Sequence, residues 1–198
     1  MKKNDLLRSI AEKGYDVGFG AKKHFATYDI VEKTPGFISF ISLAFGIIAL
    51  AIDDISNKLV SSVFIILGVV GLYVSLNDSK KKEYAEAGVG ITKLYYRLKS
   101  LYFNVKAMDE SEDGSGYQKE LSEIEEEFYS LSISKQIMFS NWYAHYKFFW
   151  ELQIDWVAEQ RRFRFFRDKV PLSFLLFVLV VIFSSGIYFS DLISYVCR

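Results

Sequence analysis

The sequence predicts an all-α membrane protein: a transmembrane helical hairpin, a long cytosolic antiparallel helical stalk and a third, C-terminal transmembrane helix. Three observations lead there. The blocks 36–52, 59–76 and 172–189 hold no charged residue, and each approaches the roughly 20 residues that cross a hydrocarbon core about 30 Å thick. Lysine is placed unevenly, with Lys80-Lys81-Lys82 after the second block and only Lys58 in the polar knot between the first two. Between the second and third blocks, apolar residues recur every three or four positions, the period of a helix face. The chain divides accordingly into a charged amphipathic segment (1–34), the hairpin (35–76), the stalk (77–170) and the last helix with a short tail (171–198).

The 198 residues carry 24 basic and 24 acidic side chains, with 51% hydrophobic and 17% aromatic residues. Zero net charge lacks the basic field that neutralises phosphates, so no nucleic-acid partner is expected. The lone Cys197 forbids an intrachain disulfide framework and a cysteine-based zinc site. The first 34 residues contain seven Lys or Arg and no long apolar core, so no cleavable signal is expected.

In chain order, residues 1–34 scatter Leu6, Leu7, Ile10, Val17, Phe25, Tyr28 and Ile30 among charges, with Gly14, Gly18 and Gly20 as punctuation. This segment is expected to pack on the cytosolic helices or lie at the headgroups. A solvated helix-turn-helix with a satisfied His24 is the alternative. Thr34-Pro35-Gly36 reads as a reset, Thr34 capping a new helix and Pro35 entering its first turn. The hairpin follows. Its only polar groups are Ser39, Ser42, Ser61, Ser62, Tyr73 and Ser75, too few for the polar face of a soluble helix pair. Small residues recur at helical spacing, and Ser42, Gly46, Gly68, Gly71 and Ser75 are the candidate packing or pore residues. Close approach on small residues drives helix association in lipid, and these faces either close the hairpin or meet neighbouring subunits.

Lys80, Lys81 and Lys82 then fix orientation, because Lys and Arg beside a span stay cytoplasmic. The amino terminus is cytoplasmic by the same rule, and the 53–58 knot faces outward. Ala87, Ile91, Leu94, Leu98, Leu101 and Val105 form a coiled-coil-like seam. Asp109 to Gly116 is a turn by composition. A returning helix from Tyr117 keeps the seam through Leu121, Ile124, Phe128, Leu131, Met138, Trp142, Phe149, Leu152 and Trp156, with Lys135 and His145 in two of its places. The expected structure is a two-helix antiparallel stalk, to which the amino-terminal segment can add a third member. Glu120, Glu123, Glu125, Glu126 and Glu127 read as a solvated face, or as an acidic docking patch. Arg161, Arg162, Arg164 and Arg167, interleaved with Phe163, Phe165 and Phe166, suit the headgroup zone; a nucleotide-gripping role is the alternative. Pro171 opens the third block and Asp191 closes it. It either crosses outward, placing Cys197 outside, or bends at Ser184-Ser185-Gly186 and lies in the interface.

No catalytic constellation emerges. His24 and His145 have no ligand spacing, and no nucleophile elbow or phosphate loop is present. An enzyme, a metal and a cofactor are therefore not expected.

Tyr15-Asp16-Val17-Gly18-Phe19-Gly20-Ala21-Lys22-Lys23-His24, the close-set hairpin, Leu94-Tyr95-Tyr96-Arg97-Leu98-Lys99 and Ile154-Asp155-Trp156 together resemble the SLATT proteins, two-transmembrane effectors associated with nucleotide-signalling prokaryotic conflict systems. The resemblance implies a homo-oligomer in the bacterial inner membrane. It would permeabilise or depolarise that membrane when a partner protein or a nucleotide messenger reports phage. The family core has two crossings, so 172–189 departs from it. A membrane scaffold whose stalk docks a soluble partner is the rival reading, and a membrane enzyme would require a polar cluster at one depth that this sequence does not show.

Overall fold

The computed structural model describes residues 2–51, 58–109 and 112–196. The expected outward knot, but for Lys58, and Cys197 lie outside the described residues. The chain is helical almost throughout, with no strand among the described residues: α1 Lys3–Ala51, α2 Lys58–Ser75, α3 Lys81–Ala107, α4 Ser115–Leu131, α5 Ser140–Tyr146, α6 Asp155–Gln160 and α7 Leu172–Val196. A 3-10 turn at Asp78–Lys80 joins α2 to α3, and single π-helical turns occupy Lys147–Glu151 and Phe165–Lys169.

The 49-residue α1 is roughly 73 Å long at 1.5 Å per residue. Leu6, Leu7, Ile10, Ala11, Val17, Ala21, His24 and Val31 are buried at three- and four-residue steps, so the charged first part buries a continuous stripe. The expected reset at Thr34-Pro35-Gly36 is absent, and Pro35 sits inside the helix. An internal proline forfeits one backbone bond and costs about 3 kcal/mol. Two things offset this: the buried stripe fixes the helix on one side, and an apolar environment forces backbone groups into helical pairing on the other.

The chain returns alongside α1. Phe45 meets Phe64 at 4.6 Å between ring centroids, Ile38 meets Gly71, Lys81 meets Glu32, and Phe25 meets Gly88. Only six residues separate Glu32 from Ile38, whereas ten separate Gly71 from Lys81. The excess is taken up in the non-α joint at Leu76–Lys80, which lies opposite Pro35. The α2–α3 rod thus leaves regular α-helix near the level where α1 carries its internal proline.

The α3 seam appears as expected, with Ala87, Ile91, Leu94, Leu98, Leu101 and Val105 all buried. Its main partner is α1 rather than the returning chain, which corrects the two-helix stalk. The expected return helix is also broken, since α4 ends at Leu131. Ser130 and Ser132 hydroxyls bond the carbonyls of Glu127 and Phe128, and His24 Nε2 accepts the Ile133 N–H at 2.9 Å. These bonds satisfy the backbone outside the helix and so compete with its continuation. Residues 132–139 form an irregular strap across α1, and Met138, expected in the seam, is exposed.

Gly14, Gly18 and Gly20 do not punctuate α1. A Cβ on Gly14 would come within 2.2 Å of the Trp156 ring, one on Gly18 within 2.9 Å of Tyr95, and one on Gly20 within 2.8 Å of Phe128. They are seats for aromatic rings from α3, α4 and α6. Trp156 Nε1 donates to the Tyr95 hydroxyl at 2.9 Å, and that hydroxyl donates to the Gln153 carbonyl at 2.6 Å. Tyr102 donates to Glu159, whose carboxylate also holds Lys106 at 2.7 Å.

Candidate functional site

Past Pro35 the character of the two rods inverts. Phe40, Leu43, Ile47 and Leu50 on α1 and Ile65, Val69 and Leu72 on α2 are exposed, Leu50 to 88% and Leu72 to 71%. A water-soluble helix pair turns such side chains inward, and exposed apolar patches of this extent mark a lipid or protein contact. The α1 segment and the α2–α3 segment are each long and apolar enough to cross a membrane. The 18 residues of α2 measure roughly 27 Å, close to the thickness of a hydrocarbon core.

The candidate packing residues separate into two groups. A Cβ on Gly71 would touch Ile38 at 3.6 Å, so Gly71 lies at the contact between α1 and α2. Gly46 and Gly68 face open space, with nothing within 4 Å. Ser42 is half-buried, and exposed Ser75 bonds back to the Gly71 carbonyl at 2.8 Å. Among the described residues the chain therefore uses Gly71 and leaves Gly46 and Gly68 without a neighbour.

Charge gathers where the apolar pair ends. Lys81 binds Glu32 at 2.9 Å and Asp78 at 3.0 Å, tying α1, the joint and α3 together. These two carboxylates hold the ammonium pKa well above its usual value. Lys80, Lys82 and Lys33 are exposed. Asp29, largely buried, takes Lys33 and Lys147 at 2.6 Å each. Burial works against that carboxylate, but the lysine hydrogen bonds outweigh it and keep its pKa below the ordinary range.

The structure does not bring the arginines to this level. Arg161, Arg162 and Arg167 line an open cleft of about 520 Å³ with Arg8, Glu12 and Asp16. Asp16 precedes Glu32 by sixteen residues of one helix, roughly 24 Å. Arg161 lies over the Tyr15 ring at 4.1 Å, a cation–π stack. Arg167 pairs with Asp168, while Arg164 is exposed and its backbone N–H donates to Asp168. A second cavity of about 290 Å³ opens between α1 and α3, lined by Lys22, Phe25, Tyr96 and Glu151 among others. Burial lowers the Lys22 pKa there, partly offset by Glu151.

His24 was legible in the sequence only as a residue to be satisfied. Its Nδ1–H donates to the Gly20 carbonyl at 2.7 Å while Nε2 accepts from Ile133. That arrangement demands neutral imidazole, and burial lowers the pKa accordingly, the Gly20 bond opposing it. Among the described residues, no group of three or more His, Cys, Asp or Glu is placed to hold a metal.

An apolar rod pair on a charged helical bundle, matched over residues 1–178 by the family described as SMODS and SLOG-associating 2TM effector domain 6, decides the assignment. The chain belongs to the SLATT family. No curated protein and no solved structure matches it. The family is not a known enzyme family, and its two-transmembrane description agrees with the two apolar helices. The match ends at residue 178, within the first half of α7, so most of that helix lies beyond the matched region.

Proposed function

We propose that this SLATT protein is a membrane effector of a prokaryotic anti-phage system that oligomerises to permeabilise or depolarise the inner membrane when a partner or nucleotide signal arrives. The apolar part of α1 and all of α2 form the transmembrane hairpin, α7 adds a third crossing, and the charged bundle lies in the cytoplasm. One observation carries the reading: α1 is a single helix whose first part is locked into the bundle and whose last part is exposed and apolar. A change in bundle packing therefore reaches the membrane through unbroken backbone, with Pro35 and the opposed 3-10 joint as the level where the two parts can bend relative to each other. Gly46 and Gly68, unused within the chain, supply close-approach faces for neighbouring subunits.

The test is membrane potential, followed with a voltage-sensitive dye in bacteria expressing the intact chain and a Gly68→Leu variant, with and without phage infection. Depolarisation by the intact chain and its loss in the variant are expected. Unchanged potential in every condition would overturn the permeabilising mechanism and favour the scaffold reading.

A further inference from the structure

We propose that the turn Ile137-Met138-Phe139 is a separate membrane contact, an apolar elbow that enters the headgroup–acyl boundary beside the hairpin. The inference rests on the reading that α1 and α2 span the bilayer, and adds a third element to the membrane surface at a defined depth.

Its place comes first. Ile137 is buried against Val31 and Val74, five residues before Gly36 on α1 and in the last turn of α2. The elbow therefore sits where the exposed apolar pair meets the bundle. The next two side chains turn outward, Met138 to 62% and Phe139 to 53% exposure.

The tip is held out rather than loose. Three of the four residues before it are fixed by the Ile133 N–H on His24, by Thr27 on Gln136, by Gln136 on the Ile133 carbonyl at 2.7 Å and by Tyr84 on the Lys135 carbonyl at 2.7 Å. Phe139 is in the left-handed region (φ 65°, ψ −6°), the one non-glycine residue with positive φ among those described. A bulky residue there is strained, where glycine or asparagine would be comfortable. Such strain persists only when the surroundings enforce it, and here it carries the Phe139 ring onto Trp142 at 5.0 Å.

The surroundings name the occupant. Trp142 packs on Phe174 and Phe177 of α7 at 5.3 and 5.7 Å and donates to Ser173, so the elbow's apolar surface runs on into the first turns of another apolar helix. The Lys80–Lys82 cluster follows α2, and Lys33 lies two residues from Val31. Aromatic and aliphatic tips with lysines close by in sequence, at the end of apolar helices, match the anionic headgroup zone of a bilayer. A soluble partner would have to fit against a surface already continuous with two lipid-facing elements.

The test uses the full chain with Cys197→Ser, an environment-sensitive NBD label at Met138→Cys, and nanodiscs with or without spin-labelled anionic lipid. Leu72→Cys on α2 and Glu123→Cys on α4 are the references. Lipid quenching at 138 about as strong as at 72, with none at 123, is expected. Quenching at 72 but not at 138 overturns the elbow and leaves the span standing. Quenching at neither overturns both. A blue-shifted but unquenched label at 138 assigns the elbow to a second copy of the chain and also overturns the proposal.

Discussion

Gly14→Ala is the sharpest probe of how the bundle is built. By propensity alone this exchange in a helix interior favours the variant by about 1 kcal/mol. The structure reverses the sign. The new methyl would lie 2.2 Å from the nearest Trp156 carbon and about 3 Å from two more. The indole cannot retreat, because it is buried, bonded to Tyr95 and packed, tilted, against the rings of Tyr95 and Tyr102 at 5.5 and 5.3 Å. Overpacking costs about 1–3 kcal/mol, and with three ring carbons this close the upper part of that range, about 2–3 kcal/mol, applies; less the propensity gain, a net loss of about 1–2 kcal/mol is expected. In a chain of this length that is a fall in Tm of roughly 2–8 °C. Thermal unfolding of the detergent-solubilised protein, followed by tryptophan fluorescence, reads it. Gly116→Ala, with nothing within 4 Å, serves as the control and should be neutral or stabilising. A Gly14→Ala protein as stable as the control would refute the argument.

Three other outcomes follow from the same geometry. His24 is neutral when folded and its pKa is lowered, so the unfolded chain binds more protons below about pH 6.5; the contribution is complete above that pH and lost as pH falls through it toward the folded pKa, by at most about 1.4 kcal/mol per unit. His24→Phe should flatten part of the Tm-versus-pH slope between pH 7.5 and 5, while His145, also lowered by burial, retains its share. Asp29→Ala leaves Lys147 largely buried without its main partner, and an urea titration of the solubilised chain should show a loss of about 2 kcal/mol, between the values for exposed and fully buried pairs. Gly71→Leu should lower Tm because Ile38 must move, whereas Gly68→Leu should leave it within about 0.5 kcal/mol and act on assembly, read by chemical cross-linking in membranes.

The two apolar runs and the α3 seam were legible because both are local patterns: absence of charge over a span length, and a three-four repeat. The seam's partner was not, since nothing in 84–105 says whether α1 or the returning chain covers it. Gly14, Gly18, Gly20 and Pro35 read as breaks, yet they occupy one continuous helix. The reason for the glycines lies in Tyr95, Phe128, Phe148 and Trp156, more than seventy residues away in sequence. The end of α4 has the same origin, since it depends on His24 reaching the Ile133 N–H across the fold. Lys135 was the warning, a polar residue in the seam at the place where the expected helix is interrupted, whereas His145 lies within α5. Of the site, the small residues could be found from spacing, but not which ones the chain leaves open. Adjacency to the third apolar block suggested a headgroup role for the arginines. Which side chains share a cleft with Arg161, Arg162 and Arg167, namely Arg8 and Asp16, was not legible, because they lie far away in sequence.

Everything about the membrane mechanism depends on which half of the long rods lies in the bilayer and which way the chain faces. Single cysteines at Asn57 and at Glu123, in a Cys197→Ser background, can be challenged with a membrane-impermeant thiol reagent on intact and permeabilised bacteria. The account predicts labelling at 57 on intact cells, and at 123 only after permeabilisation. Labelling at 123 on intact cells, or protection at 57 on intact cells with labelling after permeabilisation, would contradict it.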